Sequence, residues 1–175
     1  DKVIIATYSN NNNILSSLGI KKISTNKYQL VEKILIKLPK EYERKSYVVI
    51  DGNFVCVDPY LGTTYHLLSD VKLSKLETLI SKYPNFISFE KRYLNKGIIK
   101  NKKVSRFKAF ISNSSKYLPF LQKAKYIGSM FVVRALKINK ENTDERVTSI
   151  NYHNKKVISV FSGKWNNCIY LAKNL

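Results

Sequence analysis

Cysteine and histidine, the usual ligands of structural metal sites, are scarce in this sequence. The 175 residues include two of each. Two cysteines are too few for a small disulfide-rich scaffold, and neither belongs to a Cys-x-x-Cys pair that would hold zinc. The sequence therefore predicts no disulfide framework, no metal site and no cofactor.

Long hydrophobic runs and nucleotide-binding motifs are also missing. No stretch approaches the roughly eighteen consecutive apolar residues that a membrane-spanning helix needs, so no transmembrane segment is predicted. None of the patterns GxGxxG, GxxxxGK[ST], GxSxG or HExxH occurs in the chain, which argues against P-loop, dinucleotide-binding, α/β-hydrolase and zincin chemistry. The chain begins with Asp1 instead of Met, which is typical of a processed product or a fragment.

Acidic side chains are few, and their distribution along the chain is uneven. The sequence has 31 Lys and Arg against 12 Asp and Glu, a formal net charge of +19. Residues 91–140 contain 14 basic side chains and no carboxylate, whereas residues 1–90 are close to neutral. Such a segment cannot neutralise its own charge and projects a positive field. The sequence therefore predicts a polyanionic partner, most commonly a nucleic acid.

Apolar residues are frequent enough to build a core, and their spacing predicts both helices and strands. The hydrophobic share is 44%, which excludes a disordered basic tail. Helical spacing predicts one helix over residues 28–38, which Pro39 would end, and a second over residues 73–80. Between them, Asp51-Gly52 flanked by β-branched residues predicts a hairpin over residues 46–57.

The half of the chain after residue 90 has mainly strand character. Alternating residues predict a strand over residues 104–111, and a third helix is predicted to begin near Asn113. Four further strands are predicted, over residues 130–138, 146–152, 156–162 and 167–172. Their short connections favour an antiparallel meander. The fold class is therefore a single α+β domain over residues 1–175, with this meander in the C-terminal half and two to three helices packed on or beside it. A composition boundary lies near residue 90.

The basic segment also contains aromatic residues, and this combination is typical of surfaces that bind single-stranded nucleic acid. Cations follow the phosphates, and flat rings stack on unpaired bases. For the phenylalanines of this segment, Phe107 and Phe110 among them, core positions are the favoured interpretation, and Tyr93, Tyr117 and Tyr126 are the better surface candidates. The predicted nucleic-acid-binding residues are Tyr93, Lys96, Lys100, Lys102, Lys103, Arg106, Lys108, Tyr117 and Arg134.

Arg134 differs from the other cations because its neighbours in the predicted strand are mainly apolar. A guanidinium on such a face is costly unless an anion meets it. The anion is either a structural carboxylate, such as Glu90 or Asp58, or a phosphate of the substrate. Both interpretations stay open at this point, because a guanidinium can hold either group in bidentate fashion.

His153 provides the only plausible catalytic group for metal-independent cleavage of RNA. It lies in the basic, strand-rich half, where it could act as a general base or acid with Tyr152 or Glu90 as its partner. Arg134 or Lys156 would then stabilise the charge of the transition state. The competing interpretation is that His153 occupies a tight turn, a position that histidine tolerates well.

Three functions follow from these patterns. The leading prediction is that the protein binds nucleic acid through residues 91–140 and the C-terminal sheet. RNA or single-stranded DNA is favoured over duplex DNA as the ligand. The first alternative is a toxin-like, metal-independent endoribonuclease that uses His153. The second is a protein that binds another anionic polymer or an acidic protein.

Overall fold

The computed structural model describes residues 1–50, 54–138 and 147–175. These residues contain both helices and strands, and most of the strand pairs are antiparallel. The described strands are β1 (Val3–Ile5), β2 (Asn26–Lys37), β3 (Tyr47–Val49), β4 (Val55–Pro59), β5 (Tyr65–Asp70), β6 (Lys75–Ser81), β7 (Lys125–Lys137), β8 (Thr148–Tyr152) and β9 (Val157–Ser162). The described α-helices are α1 (Asn11–Ser17), α2 (Phe107–Ser114) and α3 (Cys168–Lys173).

The strands form two sheets. The smaller sheet has the order β1-β9-β8, in which β1 is parallel to β9 and β8 is antiparallel to β9. The larger sheet has the order β3-β4-β5-β2-β6, and β7 also pairs with β2. Neighbours in sequence are paired in β3–β4, β4–β5 and β8–β9, as is usual where connections are short.

The chain divides into two compact units, each built from separate stretches of sequence. Unit 1 contains Asp1–Gln29, Thr78–Phe86 and Val133–Leu175. Unit 2 contains Leu30–Glu77 and Ile87–Val132. In sequence, three of the four boundaries fall within the strands β2, β6 and β7, and the fourth lies between Phe86 and Ile87.

Unit 2 contains the main apolar core. Its buried members come from β2 and the residue after it, from β4, β5 and α2, and from the 3-10 turn at Pro119–Lys123. They are Ile34, Ile36, Leu38, Val55, Val57, Leu68, Phe107, Phe110 and Leu121. Phe107 and Phe110 are three residues apart and therefore lie on one face of α2. This placement confirms the core interpretation for both phenylalanines.

Unit 1 is held together in part by buried amide side chains of α1. The Asn11 Nδ2 donates to the Val160 carbonyl at 2.7 Å. The Asn12 Nδ2 donates to the carbonyls of Ser24 and Lys82, both at 2.7 Å. Buried amides are tolerated when their hydrogen bonds are made, so α1 is fixed to three other segments of unit 1.

The two helices predicted in the first half of the chain are wrong. Residues 28–37 belong to β2, and residues 73–80 belong mainly to β6. The side chains of β2 are buried on both faces along most of its length. A strand buried on both faces reads as a continuous apolar run, which includes residues at helical spacing by chance.

The second half of the chain was predicted with mixed success. The hairpin formed by β8 and β9 is confirmed, as is the strand β7. The strand predicted over 104–111 is wrong, because these residues form a 3-10 turn and then α2, which ends where the third helix was predicted to begin. The strand predicted over 167–172 is wrong as well, because these residues form α3.

The hairpin predicted over residues 46–57 is confirmed as the antiparallel pair β3–β4, in which Tyr47 lies opposite Val57. Its predicted turn at Asp51-Gly52 lies outside the described residues. Among the helices that the structure describes, none has the length and apolar character needed to cross a membrane.

Candidate functional site

Unit 1 contains a cavity of about 600 Å³, referred to here as the Lys137 cavity. Its walls come from α1, the loop after α1, the first residue of β2, the last residue of β7, and the hairpin β8–β9. The lining residues are Asn11, Asn12, Leu15, Lys22, Ile23, Ser24, Asn26, Lys137, Ile150, Asn151, Tyr152, His153, Ser159 and Phe161. A volume of this size is sufficient for a small organic ligand.

Lys137 is the most unusual charged group of this cavity. Its ammonium is half-buried and donates to Asn26 Oδ1 at 3.2 Å. It also lies over the ring of Phe161, 4.7 Å from the centroid, which is a cation–π contact. Burial lowers the pKa of Lys137 below its usual value, because the charged form loses hydration.

His153 lines the same cavity, at the end of β8. Its Nε2 is 2.8 Å from the Ser159 hydroxyl oxygen, and its backbone N–H donates to the Val157 carbonyl at 3.0 Å. Partial burial lowers the pKa of the imidazole below its usual value, because the charged form loses hydration, and this favours the neutral ring. A neutral imidazole next to a cavity can accept a proton or a hydrogen bond from a ligand.

The partner of His153 differs from the prediction. Tyr152 or Glu90 was expected, whereas the ring is bonded to Ser159, which lies opposite Asn151 in the β8–β9 register. Antiparallel pairing brings Ser159 close to the hairpin turn and therefore close to His153. Lys156 is exposed in that turn, and neither Lys156 nor Arg134 is among the residues that line the cavity.

Arg134 is half-buried on β7 in unit 1. Its guanidinium donates to the side-chain oxygen of Gln29 at 3.4 Å, a neutral acceptor on β2. The two carboxylates that the sequence suggested for Arg134 both belong to unit 2. Asp58 accepts a hydrogen bond from the Ser46 hydroxyl, and Glu90 lies in the 3-10 turn at Phe89–Tyr93.

Four of the predicted nucleic-acid-binding residues line one hollow of about 560 Å³ in unit 2, referred to here as the Lys102 hollow. They are Lys102, Lys103, Arg106 and Lys108, and all four are exposed. Arg106 is partly used within the fold, because its guanidinium donates to the carbonyls of Leu73 and Lys75. The three lysines are therefore the cations of this hollow most able to meet a ligand.

The other predicted residues of unit 2 are spread more widely. Lys96 and Lys100 are exposed in the loop before this hollow but do not line it. Tyr93 is half-buried and packs on Phe131, with 5.5 Å between the ring centroids. Tyr117 is 45% exposed, so its ring remains accessible for stacking.

Glu32 positions the segment that carries the Lys102 hollow. Its side chain on β2 is fully buried, and its carboxyl oxygens accept from the hydroxyls of Ser105 and Ser129, both at 2.6 Å. They also accept from the Arg106 backbone N–H at 3.1 Å, immediately before α2. A carboxyl group at the N-terminus of a helix satisfies donors that the helix leaves free.

Sequence reasoning singled out His153 but missed Lys137, Asn26 and Glu32. The signal for Lys137 was weak, because a lysine near the end of a strand is ordinary. Glu32 falls within the residues 28–38 that were predicted as a helix, and the strand assignment of residues 26–37 changes the environment of both Asn26 and Glu32. Among the described residues, no group of three His, Cys, Asp or Glu side chains is arranged to hold a metal ion.

Comparison with protein-family models and with curated protein sequences finds no match. Comparison with solved structures finds similar folds. A glycine oxidase from Geobacillus kaustophilus matches with a TM-score of 0.55 and 11% identity, over 95% of this chain and 37% of the oxidase. An iminodiacetate oxidase from a Chelativorans species matches with a TM-score of 0.53 and 13% identity, over 92% of this chain and 36% of the oxidase. The chain spans little more than a third of these oxidases, and at such identities the likeness concerns the fold alone.

Proposed function

We propose that this chain forms the substrate-binding part of an oxidase that acts on small amino acids or related amino carboxylates. The observation that carries the proposal is the likeness in fold to two oxidases over more than nine-tenths of this chain. By their names, those enzymes act on glycine and on iminodiacetate. Both compounds combine an amine nitrogen with a carboxylate.

The charge of this chain suits such a substrate. A formal charge of +19 draws carboxylates towards the protein and raises the rate at which they arrive. It does not by itself select an amino carboxylate over any other anion. Selection requires a fixed group that recognises the carboxylate by its geometry.

Arg134 is the group that we assign to the carboxylate. A guanidinium stays charged at every physiological pH and can form two parallel hydrogen bonds with a carboxylate. In this chain Arg134 is half-buried on a long strand, where its side chain is held more firmly than one in a loop. Its guanidinium donates to the side-chain oxygen of Gln29 at 3.4 Å, and this bond helps to orient it.

Oxidation of an amine also needs a redox cofactor. The reaction breaks one C–H and one N–H bond of the substrate to leave a C=N bond, and it releases two protons and two electrons that no ordinary side chain accepts. The sequence has no glycine-rich motif of the kind that cradles a nucleotide cofactor. We therefore assign no cofactor-holding residue to this chain and restrict its proposed role to the substrate.

Titration of the chain with glycine and with iminodiacetate tests this role. We expect saturable binding, and we expect Arg134→Gln to weaken it about tenfold or more, because a charge-assisted hydrogen bond contributes about 1.5–3 kcal/mol. Arg134→Lys keeps the charge but loses the bidentate geometry, so its affinity should lie between those of the wild type and Arg134→Gln. Isothermal titration calorimetry measures the affinities of the wild type and of both variants.

Two controls accompany this titration. Ethylamine lacks the carboxylate, so its binding should not depend on Arg134. Arg92→Gln removes the same charge from an exposed site in unit 2, where the guanidinium stacks on Phe89, and should leave the affinity unchanged. The proposal is wrong if Arg134→Gln binds glycine as the wild type does, or if neither amino carboxylate binds.

A second candidate function is the binding of single-stranded nucleic acid. The observation that favours it is the Lys102 hollow, where three exposed lysines occur together on a segment without a single carboxylate. Loop and helix lysines of this kind contact phosphates and position a backbone. Tyr117 is the exposed ring of this segment that can stack on a base.

Salt dependence of RNA affinity tests the second candidate. Changing Lys102, Lys103 and Lys108 together to Ala should weaken binding of a short single-stranded RNA and reduce the salt slope by about 2, since each phosphate contact contributes about 0.7. Fluorescence anisotropy at several salt concentrations measures both quantities. A triple Ala variant of the exposed Lys2, Lys21 and Lys173 removes the same charge from unit 1 and should keep the slope.

Further measurements with RNA and heparin distinguish the remaining alternatives. An unchanged slope in the first triple variant would rule out the Lys102 hollow as the interface. Equal affinity for heparin and RNA would favour the hypothesis that the protein binds anionic polymers of any kind. RNA fragments with 2′,3′-cyclic phosphate ends, formed in EDTA, would favour the ribonuclease that uses His153.

A further inference from the structure

The walls of the Lys137 cavity combine apolar and polar surfaces. Leu15, Ile23, Ile150 and Phe161 provide the apolar part. The amides of Asn11 and Asn12 bind backbone carbonyls, as described above, and so hold α1 in place beside the cavity. A cavity whose walls are fixed in this way can select a ligand by shape as well as by charge.

The charge of this cavity has one sign. Lys22 and Lys137 both line it, and none of the described residues that line it is Asp or Glu. The Lys137 ammonium has three N–H donors, and within the described part of the chain its hydrogen-bond acceptor is Asn26 Oδ1. A partly desolvated ammonium gains more from an anion than an exposed lysine does.

We infer that the Lys137 cavity binds a small organic oxyanion, a carboxylate or phosphate group carried on an apolar body. The oxyanion accepts hydrogen bonds from the Lys137 ammonium, with Lys22 contributing charge at the rim, where it is exposed. The neutral imidazole of His153 is held by Ser159 and offers a further polar contact. The apolar body of the ligand packs on Phe161 and Ile23.

This site is separate from the one proposed for amino carboxylates. Arg134 is not among the residues that line the cavity. A variant of Lys137 should therefore leave glycine binding unchanged, and a variant of Arg134 should leave the Lys137 cavity unchanged. The two proposals can fail independently.

Titrations of the isotope-labelled chain with phenyl phosphate, benzoate and benzyl alcohol test the inference. We expect both anions to bind and to shift the amide resonances of Asn12, Tyr152 and Ser159, whereas the neutral alcohol should bind at least about tenfold more weakly. Comparison of the two anions shows which oxyanion the cavity prefers. Inorganic phosphate, which lacks the apolar body, should bind more weakly than phenyl phosphate.

Variants assign the effect to Lys137. Lys137→Gln should weaken benzoate binding about tenfold or more, Lys137→Arg should retain most of it, and Lys2→Gln serves as the charge-matched control at an exposed position. If Lys137→Gln does not fold, the inference is tested by whether benzoate shifts the amide resonances of Asn12, Tyr152 and Ser159 in the wild type. Shifts confined to other parts of the chain, or equal affinity for benzoate and benzyl alcohol, would overturn the inference.

Discussion

Replacing Glu32 with alanine is expected to lower the free energy of unfolding by about 3–4 kcal/mol. The change removes the acceptor of three hydrogen bonds, from the hydroxyls of Ser105 and Ser129 and from the backbone N–H of Arg106. Ser129 is fully buried, and its hydroxyl would keep only the longer contacts with the hydroxyls of Ser105 and Tyr126, at 3.0 and 3.1 Å. Urea-induced unfolding, followed by circular dichroism, measures the difference.

Two further variants define this effect. Glu32→Gln keeps the volume and one acceptor oxygen, so about half of the loss is expected. Glu41→Ala removes an exposed carboxylate from the same unit and should change stability by no more than about 0.5 kcal/mol. Equal stabilities for Glu32→Ala and Glu41→Ala would contradict the role assigned to the buried carboxyl group.

Phe110→Ala is expected to destabilise the protein by about 3–5 kcal/mol, which is typical for removal of a buried aromatic ring. Phe110 is fully buried on α2, in the apolar core of unit 2 with Leu68 and Leu121. Its removal leaves a cavity that neighbouring elements can fill only in part. The midpoint of urea-induced unfolding should fall accordingly.

Phe89→Ala provides the matched control, because Phe89 is 51% exposed. A loss of less than about 1 kcal/mol is expected there. The milder variant Phe110→Leu is expected to keep the fold, so that the effect of Phe110 on stability can be compared with its effect on RNA affinity. If its affinity for RNA falls while its stability hardly changes, Phe110 stacks on bases and its assignment to the core is wrong.

Secondary structure was predictable where the signal was local. The hairpins β3–β4 and β8–β9 pair strands that are close neighbours in the sequence, and turn-forming residues with flanking β-branched residues indicate such pairs directly. The strand β2 was not predictable in this way. Its apolar residues satisfy a helical and a strand pattern at once, and the packing of both its faces decided between them.

The segment at 104–111 shows the opposite ambiguity. Arg106 and Lys108 alternate with apolar residues, as in an exposed strand, whereas Phe107 and Phe110 have helical spacing. The hydrogen bond from the Arg106 backbone N–H to Glu32 supports the helical alternative, because it satisfies a donor at the start of α2. Its acceptor is 74 positions away in the sequence, beyond the reach of any local pattern.

The two candidate sites also differ in how far they could be predicted from local sequence. The dense cations of the Lys102 hollow are close together in sequence, so composition alone pointed to them. The Lys137 cavity is built from Asn26, Lys137, His153 and Phe161, which are brought together by strand pairing and by packing. Only His153 of this group was singled out from the sequence.

The amino-acid sequence by itself determined the charge of this protein, the local hairpins and the absence of the common nucleotide-binding and catalytic motifs. These properties depend on composition or on residues that are neighbours along the chain. The tertiary structure decided that Glu32 is a buried acceptor and that Lys137 lines a cavity whose described lining residues include no carboxylate. Such placements depend on which distant strands pair, and that choice reflects the total burial and hydrogen bonding of the fold more than any single segment.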